Sequence, residues 1–155
     1  MHVIAAKAVA FHEAVQPDFA SYQRATLENA LALATELQQL GMRLVSGGTD
    51  NHLVLVDLTG IGITGKDAQA ALEKVGIVTN RNAIPFDPRP ALITSGIRLG
   101  TPAVTSRGFG VEEIKRIAAL VVKVITNIGD LDIQQQVSRE VSRLCSRFPV
   151  PGIDD

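Results

Sequence analysis

The chain opens on an alanine-rich run, His2 to Val15, free of glycine and proline. That composition predicts helix from the first residues. No Ser, Thr, Asp or Asn precedes it, so its first N–H groups lack a side-chain cap. A frayed terminus accounts for this, and so does a chain that is a piece of a longer one. Pro17 ends the run, and Asp18 is placed to cap a second helix reaching about Leu40. Leu27, Leu31 and Ala34, with Ala30, Leu33, Leu37 and Leu40, form its two-sided pattern at helical spacing. Gly41 supplies a stop.

Shorter periods follow. Arg43 to Ser46 is a candidate strand, Ser46 to Asn51 is turn chemistry, and His52 to Leu58 (HLVLVDL) is the clearest strand. A glycine-rich loop runs from Thr59 to Gly65. Thr64 then caps a helix to about Val75, with Asp67 as the capping acid and Gly76 as terminator. Ile77 to Thr79 reads as a short strand. Asn80 to Pro90 reads as a structured loop, since Pro85, Pro88 and Pro90 block helix and ladder. Leu92 to Leu99 is strand-like, interrupted at Ser95-Gly96, and Gly100 to Pro102 turns the chain. Two amphipathic helices close it, Val111 to about Ile128 and Ile133 to Arg147. Cys145 flanks the second stripe and is expected as a small buried hydrophobe rather than a reactive thiol. Helices interleaved with short strands predict an α/β fold: a small, mostly antiparallel sheet covered by helices on one face. The first helix has no evident partner in that layer.

Composition narrows the function classes. The 155 residues suit one domain, and 46% are hydrophobic, enough for a sizeable core. Net charge is −1 and the pI is about 6.3, against a nucleic-acid or anionic-membrane binder. No apolar run approaches the ~20 residues of a membrane span, and no signal-peptide pattern opens the chain. A single cysteine excludes an internal disulfide and suits a reducing, cytoplasmic setting. Three histidines and one cysteine argue against a metal site.

Charge is uneven, however. Between Thr79 and Arg107 stand Arg81, Arg89, Arg98 and Arg107 against one acid, Asp87. Four arginines less one acid leave +3 there, so the rest carries −4 within the net −1. A proline-shaped, arginine-rich segment suits a small anion, because the guanidinium fork matches a carboxylate or phosphate. Solvated surface arginines are the plainer account of Arg81, Arg89 and Arg107. Arg98 differs: Gly96 and Gly100 flank it, and strand alternation sends Ile97 and Leu99 to the opposite face. Gly60 to Lys66 imitates a phosphate-binding loop, but Asp67 stands where a magnesium-binding hydroxyl belongs. Asp50, Asn51, His52 and Asp57 make a poor metal set, since strand neighbours face opposite ways, and a turn bonded to its own backbone accounts for them better. No nucleophilic triad is evident at Ser46 or Cys145, and His2 and His12 read as surface or interface residues of the first helix.

Taken in register, these motifs resemble the serine hydroxymethyltransferase family. Met1 to Ala10 looks like the segment after that family's cofactor lysine. Ser46-Gly47-Gly48-Thr49-Asp50-Asn51-His52, Thr64-Gly65-Lys66, Asn80-Arg81-Asn82-Ala83-Ile84-Pro85 with Asp87-Pro88, Ser95 through Ala103, and Arg107-Gly108-Phe109 follow in the family's order. The similarity runs on to Arg147-Phe148-Pro149-Val150. It implies a pyridoxal-phosphate enzyme of the aspartate-aminotransferase type (fold type I). Residues 1–16 would be a helix from the end of the large cofactor domain, and 17–155 the small C-terminal domain.

By the same resemblance, Arg98 grips the substrate α-carboxylate and Asn82 lies near tetrahydrofolate, the co-substrate. Pro90, Ala91 and Leu92 line the folate site, where the family often has Ser-Pro-Phe. The lysine that bonds pyridoxal phosphate lies in an upstream threonine-rich motif absent here, and Lys7 and Lys66 belong to other motifs. The aspartate at the pyridine nitrogen, the histidine stacked on the ring and the glycine pair at the phosphate are upstream too. The expectation is therefore a C-terminal portion with no catalytic residue of its own and no activity alone. Its partners would be a cofactor domain and a second subunit or more. The alternative is a non-enzymatic interaction module that has kept the fold, motivated by Val3, Ile4, Val9 and Phe11 on the unpartnered first helix.

Overall fold

A computed structural model describes residues 1–153. Helices α1 (His2–Ala14) and α2 (Pro17–Gln39) lead into strand β1 (Arg43–Leu44) and then β2 (Leu53–Asp57). Helix α3 (Gly65–Lys74), strands β3 (Asn80–Asn82) and β4 (Gly96–Gly100), and helices α4 (Pro102–Ser106), α5 (Val111–Ile125) and α6 (Leu131–Arg147) complete the chain. The strands form one antiparallel sheet in the order β1-β2-β4-β3.

Helices cover one face of this sheet. Leu44, Val54, Val56, Ile97 and Leu99 point into the cover and are buried. They meet Leu33 and Leu37 of α2, Ala68, Ala71 and Leu72 of α3, and Ile114, Ala118, Val121 and Val124 of α5 in one core. Helix α6 closes the outside through Val137, the one fully buried residue on it. Burial of such side chains contributes roughly 1.5–3 kcal/mol each, which is what fixes a four-strand sheet this small. Helix α1 is different, for it buries no residue at all.

Several elements depart from the sequence expectation. Pro17 does not merely end α1; it is the first residue of α2, where its absent N–H costs nothing. Asp18 lies in that first turn without capping it by a side-chain bond. Cys145 is half-buried rather than buried. The expected Ile77–Thr79 strand is irregular, and the ladder is made by Asn80–Asn82, inside the stretch read as loop. Strand β4 starts at Gly96 rather than Leu92. The reason lies in α3: the carbonyls of Ile93 and Thr94 accept from Lys66 N at 3.0 Å and Gly65 N at 2.9 Å. They satisfy the helix's open N–H groups instead of joining the sheet. Strand β1 stops at Leu44 because Val45–Gly47 coil, with Ser46 at φ 63°. Pro102 begins a short helix where a turn was expected.

Other expectations hold. Thr64 caps α3, accepting from Asp67 N at 3.0 Å, while its hydroxyl donates to the Asp67 carboxylate at 2.7 Å. Gly41 and Gly76, at φ +84° and +87°, end α2 and α3. In both, the following N–H reaches back to close the helix: Met42 N to Leu37 O at 2.9 Å and Ile77 N to Leu72 O at 3.0 Å.

Candidate functional site: the uncovered face of the sheet

Alternation leaves Arg43, Leu53, Leu55, Asp57, Asn80, Asn82 and Arg98 on the face without helices. Leu53 and Leu55 are half-buried and form an apolar floor. In register, Arg98 lies between Leu55 on β2 and Asn80 on β3. Asp57, Gly96 and Asn82 form the next row. A Cβ at Gly96 would come within 2.8 Å of Val56 O and 2.9 Å of both Asn82 O and Ile84 Cγ2. Backbones therefore crowd beside Arg98 in a way glycine alone allows.

The four arginines of the basic segment divide sharply. Arg81 lies on the helix side, its guanidinium 3.4 Å from Gln69 Oε1 of α3. Arg89 donates to Ile63 O at 2.7 Å. Arg107 donates to Phe148 O at 2.8 Å and Cys145 O at 3.2 Å, and lies over the Phe109 ring. Arg89 and Arg107 hold the fold together, whereas Arg81 is a surface arginine, as expected, whose guanidinium is bonded as loosely as that of Arg98. Arg98 is exposed, and the one side-chain hydrogen bond it makes among the described residues is a long one, Nη2 to Asn80 Oδ1 at 3.4 Å. The other arginine on this face, Arg43, already has a carboxylate: Asp57 Oδ2 at 2.7 Å. Asp57 is 5% exposed and also takes the Thr59 N–H and hydroxyl, at 2.8 and 2.6 Å.

Asn82 is half-buried, its amide donating to Ala83 O at 2.8 Å. It sits one register step from the Asn80–Arg98 pair, on the same face. Pro90, Ala91 and Leu92 lie on an exposed turn between β3 and β4, Leu92 being 74% exposed. The turn is anchored by a residue that sequence reasoning passed over. The Asp87 carboxylate accepts from Ile84 N at 3.2 Å, Arg89 N at 3.0 Å, Ser95 N at 2.8 Å and Ser95 Oγ at 2.6 Å. Desolvation pushes its pKa up, but the Ser95 hydroxyl and the three N–H donors outweigh that and hold it at about 2. The available signal was a single acid, followed by proline, amid four arginines. Asn80 was passed over too, because its pairing with Arg98 spans 18 residues of chain.

The decoys have structural accounts. Gly65 is wedged against the sheet, where a Cβ would collide with Thr94 Oγ1 and Gly96 O, and the α3 N-terminus is filled by carbonyls. No phosphate fits there. Thr49 Oγ1 donates to Leu53 O at 2.6 Å and Asn51 Oδ1 accepts from Leu53 N at 3.0 Å, so Asp50-Asn51-His52 is a turn bonded to itself. Among the described residues no three His, Cys, Asp or Glu side chains are grouped to hold a metal. No helix among them is long and apolar enough to cross a membrane.

Such a sheet, covered by helices on one side and on the other presenting Arg98 with no carboxylate partner among the described residues, defines an α/β domain with one open face. The family profile described as serine hydroxymethyltransferase matches residues 1–121. The chain is 59% identical over 155 residues to the serine hydroxymethyltransferase of Dehalococcoides mccartyi strain CBDB1, covering 99% of this chain and 37% of that protein. It is 52% identical over 156 residues to the enzyme of Erythrobacter litoralis, covering 97% of this chain and 36% of the relative. It is likewise 52% identical over 150 residues to serine hydroxymethyltransferase 1 of Colwellia psychrerythraea, with the same coverage. The chain belongs to the serine hydroxymethyltransferase family, matches the C-terminal portion of these relatives, and spans about 37% of their length.

The family's cofactor, pyridoxal phosphate, finds no site in the described residues. It needs a lysine facing a cleft and donors for its phosphate. Four surface concavities are lined without a lysine, and in the glycine-rich loop the N–H groups of Ile61, Gly62, Gly65 and Lys66 already donate to carbonyls. These residues do not fit the cofactor by themselves.

Proposed function

We propose that this chain is the small domain of a serine hydroxymethyltransferase of fold type I, acting with a cofactor-binding part of the same enzyme. The reaction converts serine and tetrahydrofolate to glycine, 5,10-methylenetetrahydrofolate and water. Pyridoxal phosphate, held elsewhere, supplies the electron sink. This chain binds and orients: Arg98 grips the amino acid's α-carboxylate through two parallel hydrogen bonds, over the apolar floor of Leu53 and Leu55. Asn82 and the Pro90-Ala91-Leu92 turn contribute one wall of the folate site. The assembly is cytoplasmic and at least dimeric. The observation that carries this reading is that Arg98 is the arginine of its segment that projects from the uncovered face, where a neutral amide is the one side-chain partner of its guanidinium among the described residues.

The test is Arg98→Ala in the holoenzyme that carries this chain. Loss of two charge-assisted hydrogen bonds, each worth about 1.5–3 kcal/mol, lowers kcat/KM for serine by roughly 100-fold or more. Unchanged serine kinetics would remove the reading. The 155-residue chain alone, mixed with pyridoxal phosphate, is expected to show neither turnover nor a bound-cofactor visible spectrum. A second reading, an interaction module without catalysis, draws on α1, where Val3, Ile4, Val9 and Phe11 are each more than half exposed. Scattering from a well-ordered monomer counts against it.

A further inference from the structure

We propose that Asn80 is a positioning residue for Arg98, and that its neutrality keeps the guanidinium available for a carboxylate from outside the chain. The proposal rests on the Arg98 reading above and goes one residue beyond it.

The uncovered face presents two arginines with opposite arrangements. Arg43 stands across the β1–β2 ladder from Asp57, and that carboxylate closes on it at 2.7 Å. Arg98 stands across the β3–β4 ladder from Asn80, whose amide oxygen is 3.4 Å from Nη2. The two cross-strand partners are nearly isosteric and differ in charge. A carboxylate satisfies a guanidinium fork and neutralises it. An amide oxygen accepts one hydrogen bond, orients the fork and leaves the charge intact. On Arg98's other flank is Leu55, which offers no acceptor. Asp57 is the one acid in the four strands, and Arg43 and Thr59 already occupy it. Among the described residues, Arg98 is thus held from one side by a neutral group and left with donors to spare. Across a ladder, Cβ atoms lie ~4.5–5.5 Å apart, so an acid at position 80 would reach the guanidinium without moving the backbone.

The experiment compares Asn80→Asp, Asn80→Ala and Arg98→Ala in the holoenzyme, with serine and glycine as probes. Asn80→Asp supplies an internal carboxylate that competes with the substrate's. It is expected to raise the amino-acid KM at least tenfold while kcat falls less than threefold. Asn80→Ala, which loses only the tether, raises it about threefold. In the 155-residue chain itself, the carboxyl introduced by Asn80→Asp is expected to titrate below the ordinary ~3.9 by NMR, a readout independent of activity. Arg98→Ala made in that same Asn80→Asp chain returns the titration to the ordinary range. The inference is overturned if Arg98→Ala raises the amino-acid KM and Asn80→Asp does not. It is equally overturned if Asn80→Asp lowers kcat and melting temperature together with no KM change, the mark of a merely structural residue. An unchanged KM in Arg98→Ala instead strikes the Arg98 reading itself.

Discussion

The two faces of strands β2 and β4 differ in what a residue is for. Val56 and Ile97, inward, are fully buried in a core shared with α2, α3 and α5. Leu55 and Arg98, one residue along, are half-buried and exposed on a face that no helix covers. The same ten backbone positions thus carry both the core and the open face that the proposal assigns to a ligand, separated by a half-period of the strand. The lesson is that stability and recognition can be altered independently here, within neighbouring residues.

That separation can be broken most directly at Ile97. Ile97→Ala is expected to lower unfolding free energy by about 4 kcal/mol, since it opens a cavity in a close-packed core. Leu55→Ala, on the other face, is expected to cost about 1 kcal/mol because much of its surface is already wet. Denaturant midpoints of the two variants at equal m-value decide it; equal losses would abolish the distinction between the faces.

A smaller effect concerns the loop at the rim of the open face. Asp87 has its pKa depressed to about 2 in the folded chain, against an ordinary ~3.9 when unfolded. The stabilisation it provides is fully present above about pH 4 and is lost as pH falls from there through 2, where the folded state too takes up the proton. Thermal melts between pH 5 and 2 should show this slope in the parent and a flatter one in Asp87→Asn. The smallest effect is expected on α1, where Phe11→Ala should change stability by less than about 0.5 kcal/mol, Phe11 being 70% exposed. A larger loss by calorimetry would mean that α1 packs on the domain after all.

The inward face was the legible one. HLVLVDL announces β2 through β-branched residues and short length, and α5 announces itself by a stripe expected from Val111 to Ile128, of which Ile114, Ala118, Val121, Val124 and Ile125 are buried while Val111 and Ile128 are exposed and the helix ends at Ile125. Strand β3 was not legible, because it is polar throughout: Arg81 faces α3, Asn80 and Asn82 face outward, and pairing to β4 holds it rather than burial. Leu92 to Ser95 misled in the opposite sense, for apolar side chains there accompany carbonyls that serve a helix end. At the site, Arg98 could be found from its flanking glycines, since the crowding at Gly96 is a local property. Asn80 acts over a ladder, and local pattern carries no trace of that pairing; Asp87 left one signal, a lone acid before proline, that did not reveal its bond to Ser95 eight residues on.

One carboxylate grips both ends of the β3–β4 connection, at Ile84 and at Ser95. The crest between them, Ala91 and Leu92, therefore hangs outside a knot already tied. Lengthening that crest by a few residues adds little closure entropy, because the span to be closed is set at its base. Insertions or randomised segments placed there should leave strand register untouched, which makes this crest the natural graft point for reshaping whatever the sheet meets.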